Sequence, residues 1–435
     1  MSNHVDNRTN LYSLDAVYSS PSALVARTRL LTTEERKRLD LLDVAGATGT
    51  LFVREGTGLA GYGEATRIDL AHGIRDRHLV TACLAAISQS THDNPDIALD
   101  DAGPVALGTF AFRPETAASF VVPAIVVRVS DAAAPTLTTV GPSDAAVHQA
   151  PLPFPAASLP SPSNFSLRTP AGHASFLAAV ETAVARIAAG GLEKVVLARP
   201  IDVSADTPIV VPHVLARLAT LFPACMVFNV DGFLGASPEL LIERRNERIR
   251  SYPLAGTVAR SGDPDADARL EAGLLASAKE RWEHAIVVDA IDRSLRPLCT
   301  AIDVPDVPGI VHLRNVSHLG THVHGVLADP SKRDILDLVA LLHPTPAVCG
   351  EPRAAAFELI AELESEDRGP YAGAVGWVDC RGNGTFAVGL RSASVSGRDA
   401  RMWAGVGIVR GSEPTLELAE TQLKFQALLA AIVRP

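Results

Sequence analysis

The chain has 435 residues, 47% hydrophobic and 20% charged, enough to bury one large core or two ordinary ones. Its 49 acidic and 39 basic side chains leave a net charge of −10, which argues against nucleic acid or an anionic membrane as main partner. A small acidic ligand is still possible, because it needs only a local basic cluster. Five scattered cysteines without a CxxC, and no apolar run of signal-peptide or membrane length, predict a reduced cytoplasmic protein.

In chain order, residues 1–30 read as a flexible N-terminal extension ahead of a single unit over 31–435. TTEERKRLDLL predicts one helix, opening at Thr32 or Thr33. Strands at TLFVRE, ATRIDL, GPVALGTFAF and FVVPAIVVRV fill the first half, 31–130. A Pro/Ala/Ser-rich connection follows over 131–170, centred on PLPFPAASLPSPSN and given no structure. The core, 171–430, opens with the helix HASFLAAVETAVARIAA, stopped by Gly190 and Gly191, and continues into the strand EKVVLARPIDV. One long helix is predicted through LEAGLLASAKERWEHAIVVDAIDRSLRPL. Strands come in adjacent pairs as often as they alternate with helices, so the expected fold class is α+β with antiparallel sheets.

The stretch from Trp403 to Lys424, WAGVGIVRGSEPTLELAETQLK, carries the first chemical signal. Gly405 and Gly407 alternate with apolar residues, as in a strand whose backbone a ligand approaches closely. Gly411, Ser412 and Pro414 then read as a turn and helix opening, after which Glu417, Glu420 and Lys424 share one helix face. A solvated face with an i,i+4 ion pair has the same pattern and is its commoner meaning. In AKERWEHAIVVD, Glu280 and Glu283 again stand three apart, with His284 adjacent and an apolar run that puts one side of the helix inside. Two such helices facing each other would make a four-carboxylate site, and oxygen-only ligands select Mg²⁺ over zinc or copper. GVGIVRG lacks the third glycine of a dinucleotide fingerprint and has no βαβ context. His318, His322 and His324 in SHLGTHVH lack a matching Cys or HExxH partner, and an exposed strand face is their expected home.

Eight stretches together carry a resemblance: EKVVLAR, FLGASPELLIE, PLAGT, KERWEH, LHPTPAVCGEPRAAA, AVGWVDCRGNGTFAVGLR, AGVGIV and the closing E-x-x-E-T-x-x-K. In this order, over Leu192 to Lys424, they resemble the chorismate-utilising enzymes; the first half resembles them more loosely. The resemblance implies a large antiparallel β-sheet sandwich flanked by helices, with a central cleft. It implies Mg²⁺ held directly by Glu283 and Glu420, with Glu280 and Glu417 as outer partners acting through water. Gly256, Thr257, His343, Ala347, Tyr371, Arg391, Gly405, Gly407 and Lys424 match positions that grip the substrate, and a dianion such as chorismate gives an acidic protein a reason to gather Arg and Lys. Lys194 matches the residue that activates water, and Glu239 the acid that protonates the leaving hydroxyl.

Members of the family that use ammonia typically carry an amide where Lys194 stands, and aminodeoxychorismate synthases a lysine at the place of Ala255. Water is therefore the expected nucleophile and isochorismate synthase the expected activity, supplying a siderophore catechol or menaquinone route, with the protein as a monomer. Salicylate synthase is the alternative, and Ala347, where salicylate-forming relatives tend to carry threonine, speaks against it. An ammonia-using enzyme, or a module that binds anionic metabolites without turning them over, are the remaining readings.

Overall fold

Two sheets, antiparallel but for one short parallel pair at the edge of the larger, pack face to face in a computed structural model that describes residues 24–89, 97, 102–143, 152, 160–170 and 172–433. The larger, of thirteen strands, runs from the edge strand Phe165–Arg168 through Lys194–Ala205, Asp399–Ile408, Ser392–Ser396, Phe233–Ser237 and Met226–Val230. It then continues through Thr50–Arg54 towards Val25–Leu30 near its far side. The smaller, of nine strands, includes Arg248–Tyr252, Leu240–Arg245, Gly384–Val388, Ala374–Asp379 and Val105–Phe110. The two halves of the chain are interleaved: Thr50–Arg54 pairs with Met226–Val230, and Val105–Phe110 with Ala374–Asp379. Neither half could keep its ladder hydrogen bonds alone.

The alternation of side chains along each strand explains the layering. Phe52, Leu59, Met226 and Phe228 of the larger sheet interdigitate with Leu107, Leu240, Val375 and Trp377 of the smaller. The larger sheet's outer face buries Leu51, Val227, Leu234 and Met402 under the helices Val211–Leu221 and Pro414–Val433, through Leu215, Leu218, Phe425 and Leu428. Each such side chain contributes on the order of 1.5–3 kcal/mol on burial. A third, three-stranded sheet of Leu254–Ala259, Val316–Gly320 and Gly309–His312 stands beside the sandwich, with Val316–Gly320 in the middle.

The α+β sandwich is as expected, and several element boundaries differ from expectation. Val25–Leu30, assigned to the N-terminal extension, is a strand paired along its length with Thr136–Gly141; residues 1–23 lie outside the described residues. The 131–170 connection therefore carries strands at both ends, Thr136–Gly141 and Phe165–Arg168, while most of PLPFPAASLPSPSN lies outside the described residues. TTEERKRLDLL forms two short helices, Thr33–Lys37 and Leu41–Ala45, because the Asp40 carboxylate caps the second by accepting from Leu42 N. The long helix likewise divides into Pro264–Ala276 and Ala278–Leu295: Ser277 is extended and its hydroxyl accepts from Glu280 N. That break places the N-cap three residues before Glu280, which fixes where the helix's carboxylates point.

Candidate active site

Chain crossings between the sheets build the site. Glu239 follows the strand Phe233–Ser237 of the larger sheet and precedes Leu240–Arg245 of the smaller. Arg391 occupies the return crossing, between Gly384–Val388 and Ser392–Ser396. The two corners are tied together by the Ser237 hydroxyl donating to Val388 O at 2.6 Å. Arg391 holds a left-handed φ of 47°, a conformation that costs a non-glycine residue roughly 1–3 kcal/mol and is found where the surroundings over-determine it. Beside these corners lies a cavity of about 970 Å³, open mouth included, lined by Glu239, Gly256, Thr257, Glu280, Glu283, Ala347, Tyr371, Arg391, Gly405, Gly407, Glu417, Glu420 and Lys424.

Lys194 lies just behind this wall. It is 1% exposed and its Nζ donates to Glu283 Oε1 at 2.9 Å. The side chain runs under Gly407, where a Cβ would stand 3.0 Å from Lys194 Cε and 2.3 Å from Glu283 Oε1. Gly405 and Gly407 pair with Ala198 and Val196, so the bare backbone lies beside the strand that carries Lys194. Gly407→Ala is expected to keep the fold but displace Glu283 and Lys194. A misplacement of ~1 Å can cost roughly 10²-fold in rate. Unchanged turnover with an unchanged melting temperature would reject this role for Gly407.

The electrostatics separate the carboxyl groups. Burial pushes the Glu239 carboxyl up to about 8, against the pull of Lys194, Lys424 and Arg391. Glu280 is raised by burial and by the neighbouring charge of Glu283, and Glu417 by burial and by Glu420 and Glu283. The carboxylates are nevertheless spread among cations: Glu283 on Lys194, Glu420 on Lys424 at 2.8 Å, and Glu417 on Lys279 at 3.5 Å. Among the described residues no three acidic or imidazole groups converge closely enough to hold one ion. As a donor set the four glutamates still suit Mg²⁺: all oxygen, from two helices, around a glycine-floored recess that a Cβ would fill. Lys424 also donates to Gly405 O at 2.9 Å, and Glu420 holds its ammonium above the usual range although burial opposes it.

His343, expected among the substrate-gripping residues, does not line the cavity. Its ring is buried, with Nε2 2.9 Å from Ala111 O, and it shapes the His343–Gly350 loop from behind. His318 takes a place the sequence reading gave to an exposed strand face. It is 7% exposed and lines the cavity, because Val316–Gly320 is the middle strand of its sheet and all five residues are buried. Arg391 donates to His318 Nε2 at 2.9 Å, so Nε2 is the acceptor and Nδ1 carries the hydrogen towards Gly256 O at 3.1 Å. Burial and the adjacent Arg391 hold this imidazole well below its usual range, consistent with a neutral ring. His322 instead stacks on Tyr252 at 3.8 Å, away from the cavity. Lys279 and Arg368 also line the cavity; Arg368 is paired with Glu364 and donates to Val196 O at 2.7 Å.

A buried acid, four carboxylates and the cations Arg391 and Lys424 around one recess, with a buried lysine just behind its wall, suit a small, multiply charged anion. Residues 52–433 match the model of the chorismate binding enzyme family, and the chain belongs to that family. Over 264 residues it is 42% identical to the isochorismate synthase DhbC of Bacillus subtilis, a match covering 58% of this chain and 66% of that protein, just under two thirds of it. A provisionally named isochorismate synthase MenF of Mycobacterium tuberculosis is 39% identical over 380 residues, covering 83% of this chain and 93% of that one. The solved structure of MenF, the menaquinone-specific isochorismate synthase from Escherichia coli, superimposes with a TM-score of 0.77 at 26% identity, covering 94% and 95%. No described helix is long and apolar enough to cross a membrane.

Proposed function

We propose that this chain is an isochorismate synthase, converting chorismate reversibly to isochorismate with Mg²⁺. The observation that carries the reading is one recess lined by a carboxyl kept protonated by burial, Glu239, with a fully buried lysine, Lys194, just behind its wall on the lining residue Glu283. Arg391, oriented by His318, and Lys424, oriented by Glu420, supply charge for the substrate carboxylates. Water attacks ring C2 and gives its proton to Lys194 in its neutral amine form, after that side chain has shed its own ammonium proton, as the ring double bonds shift. Glu239 gives its proton to the C4 hydroxyl, which leaves as water. Glu283 and Glu420 would hold the cation directly, with Glu280 and Glu417 behind them. When bound, it neutralises a substrate carboxylate and draws charge from the ring as the hydroxyl departs. The names of the relatives, and the lysine where ammonia-using enzymes typically carry an amide, support water as nucleophile.

The product is expected to be isochorismate without pyruvate. Eliminating pyruvate needs no further acid or base, so it depends on how tightly the enolpyruvyl arm is pressed to the ring. Ala347 lines the cavity with a single methyl where a threonine would add a hydroxyl and fill more space. Incubation with chorismate and Mg²⁺, with pyruvate measured by a coupled assay, is expected to give a chorismate–isochorismate mixture at equilibrium. Stoichiometric pyruvate with salicylate fluorescence would make the chain a salicylate synthase, and chorismate recovered unchanged would make it a binding module. Ala347→Thr is expected to gain lyase activity.

A further inference from the structure

Arg199 is a guanidinium that meets no carboxylate among the described residues. It stands on the strand Lys194–Ala205, five residues from Lys194 and so on the opposite sheet face, and it is 2% exposed. No ion pair to it occurs among the described residues, and its buried Nη1 has no hydrogen-bond partner there. Phe425 and Phe176 lie against it at 4.9 and 5.9 Å, and burial lowers its basicity. Its Nε makes the directed contact, donating to Thr421 Oγ1 at 2.8 Å, and that hydroxyl donates in turn to Leu418 O at 2.7 Å. Leaving a charge in an apolar pocket for one hydrogen bond is a poor way to stabilise a fold: a well-packed apolar side chain is often neutral or better. The best-attested use of such a group is to fix register.

Here the register belongs to the helix Pro414–Val433. Thr421 follows Glu420 directly and is four residues after Glu417, and successive side chains around a helix are about 100° apart. A small roll of the helix would swing both carboxylates along the cavity wall, whereas the apolar contacts of Phe425 and Leu428 are non-directional and tolerate it. We infer that Arg199 is a positioning residue: its hydrogen bond to Thr421 sets the roll of this helix and so aims Glu417 and Glu420 at the cation and substrate. This inference rests on the proposed function for the meaning of that aim, but not for the geometry.

The test uses the full chain and Mn²⁺ as a paramagnetic stand-in for Mg²⁺, with the free ion followed by its electron resonance in the absence of substrate. Arg199→Met is expected to keep or raise the melting temperature while weakening Mn²⁺ binding roughly 10–100-fold, the range usual for residues that orient metal ligands. Arg199→Lys, which can still donate to Thr421, is expected to recover part of the loss, and in turnover the deficit is expected in kcat more than in KM. Thr421→Val removes the acceptor without removing the charge and is expected to give the same loss, with no further loss in the double variant. Wild-type Mn²⁺ affinity in Thr421→Val, or losses that track the melting temperature without recovery by lysine, would overturn the inference. Failure of wild-type protein to turn over chorismate would remove the proposed activity instead, and the Mn²⁺ comparison would still decide the role of Arg199.

Discussion

Glu239→Gln is expected to lose turnover by about 10²–10⁴-fold while still binding chorismate, the range that a positioned acid or base typically supplies. The amide keeps the shape of the corner between the two sheets and removes only the transferable proton. In the proposed mechanism Glu239 acts in its protonated form, and burial lifts its carboxyl to about 8, so the acid is fully available below that pH and is lost as pH rises through it. The kcat/KM profile is therefore expected to fall on an alkaline limb near pH 8. A profile flat to pH 10, or a Glu239→Gln variant within a few-fold of wild type, would take the acid role away from this residue. Lys194→Gln is expected to lose turnover by a comparable factor with binding retained. Its interpretation needs a melting temperature beside it, because the substitution also leaves Glu283 without its ammonium partner. Near wild-type turnover in Lys194→Gln would show that another group takes the water's proton.

How much of this could be read from residues alone follows from how local each signal is. The Glu-x-x-Glu pairs, the Gly-x-Gly strand and the helix ending at Gly190 are set by helix and strand periods. The structure brings both glutamate pairs and both glycines to one cavity. The helix breaks at Asp40 and Ser277 were written as capping residues inside otherwise helical patterns, and the periodic apolar pattern outweighed them. His318 was hidden for a longer-range reason. Alternation places it on one face of its strand but does not say that the strand lies in the middle of a small sheet, or that Arg391, 73 residues further on, folds back onto its ring. The signal that could have found it is Thr257, the last residue of PLAGT, which pairs with His318 directly. His343 is the converse case: a histidine in a motif-rich loop whose neighbours Ala347 and Val348 face the cavity while it faces Ala111. Arg199 and Thr421 both stand inside quoted stretches, EKVVLAR and E-x-x-E-T-x-x-K, but neither pattern says that the two meet, and an arginine in an apolar strand reads equally well as an edge residue.

Metal removal is expected to stop turnover completely and reversibly. Excess chelator abolishes the reaction in this expectation, and Mg²⁺ added back restores it without refolding, because the sheets and helices that carry the four glutamates are packed on large apolar clusters. Glu283→Gln and Glu420→Gln are each expected to abolish turnover, but they are not equivalent tests. Glu283 is 13% exposed and is the acceptor for a lysine that is 1% exposed, so neutralising it leaves a buried ammonium without its counter-charge. Breaking a buried pair in this way typically destabilises by about 3–5 kcal/mol. The amide oxygen can still accept from Lys194 Nζ, which places the expected loss towards the lower end and makes a lower melting temperature part of the prediction. Glu420 is 28% exposed and its partner Lys424 keeps a second acceptor in Gly405 O, so Glu420→Gln is expected to leave the melting temperature near wild type. The decisive comparison is thus Glu420→Gln: inactive, folded and weakened in Mn²⁺ binding supports the carboxylate site. Turnover retained in this variant, or in wild type with chelator in excess, would place the substrate's charge compensation on Arg391 and Lys424 alone.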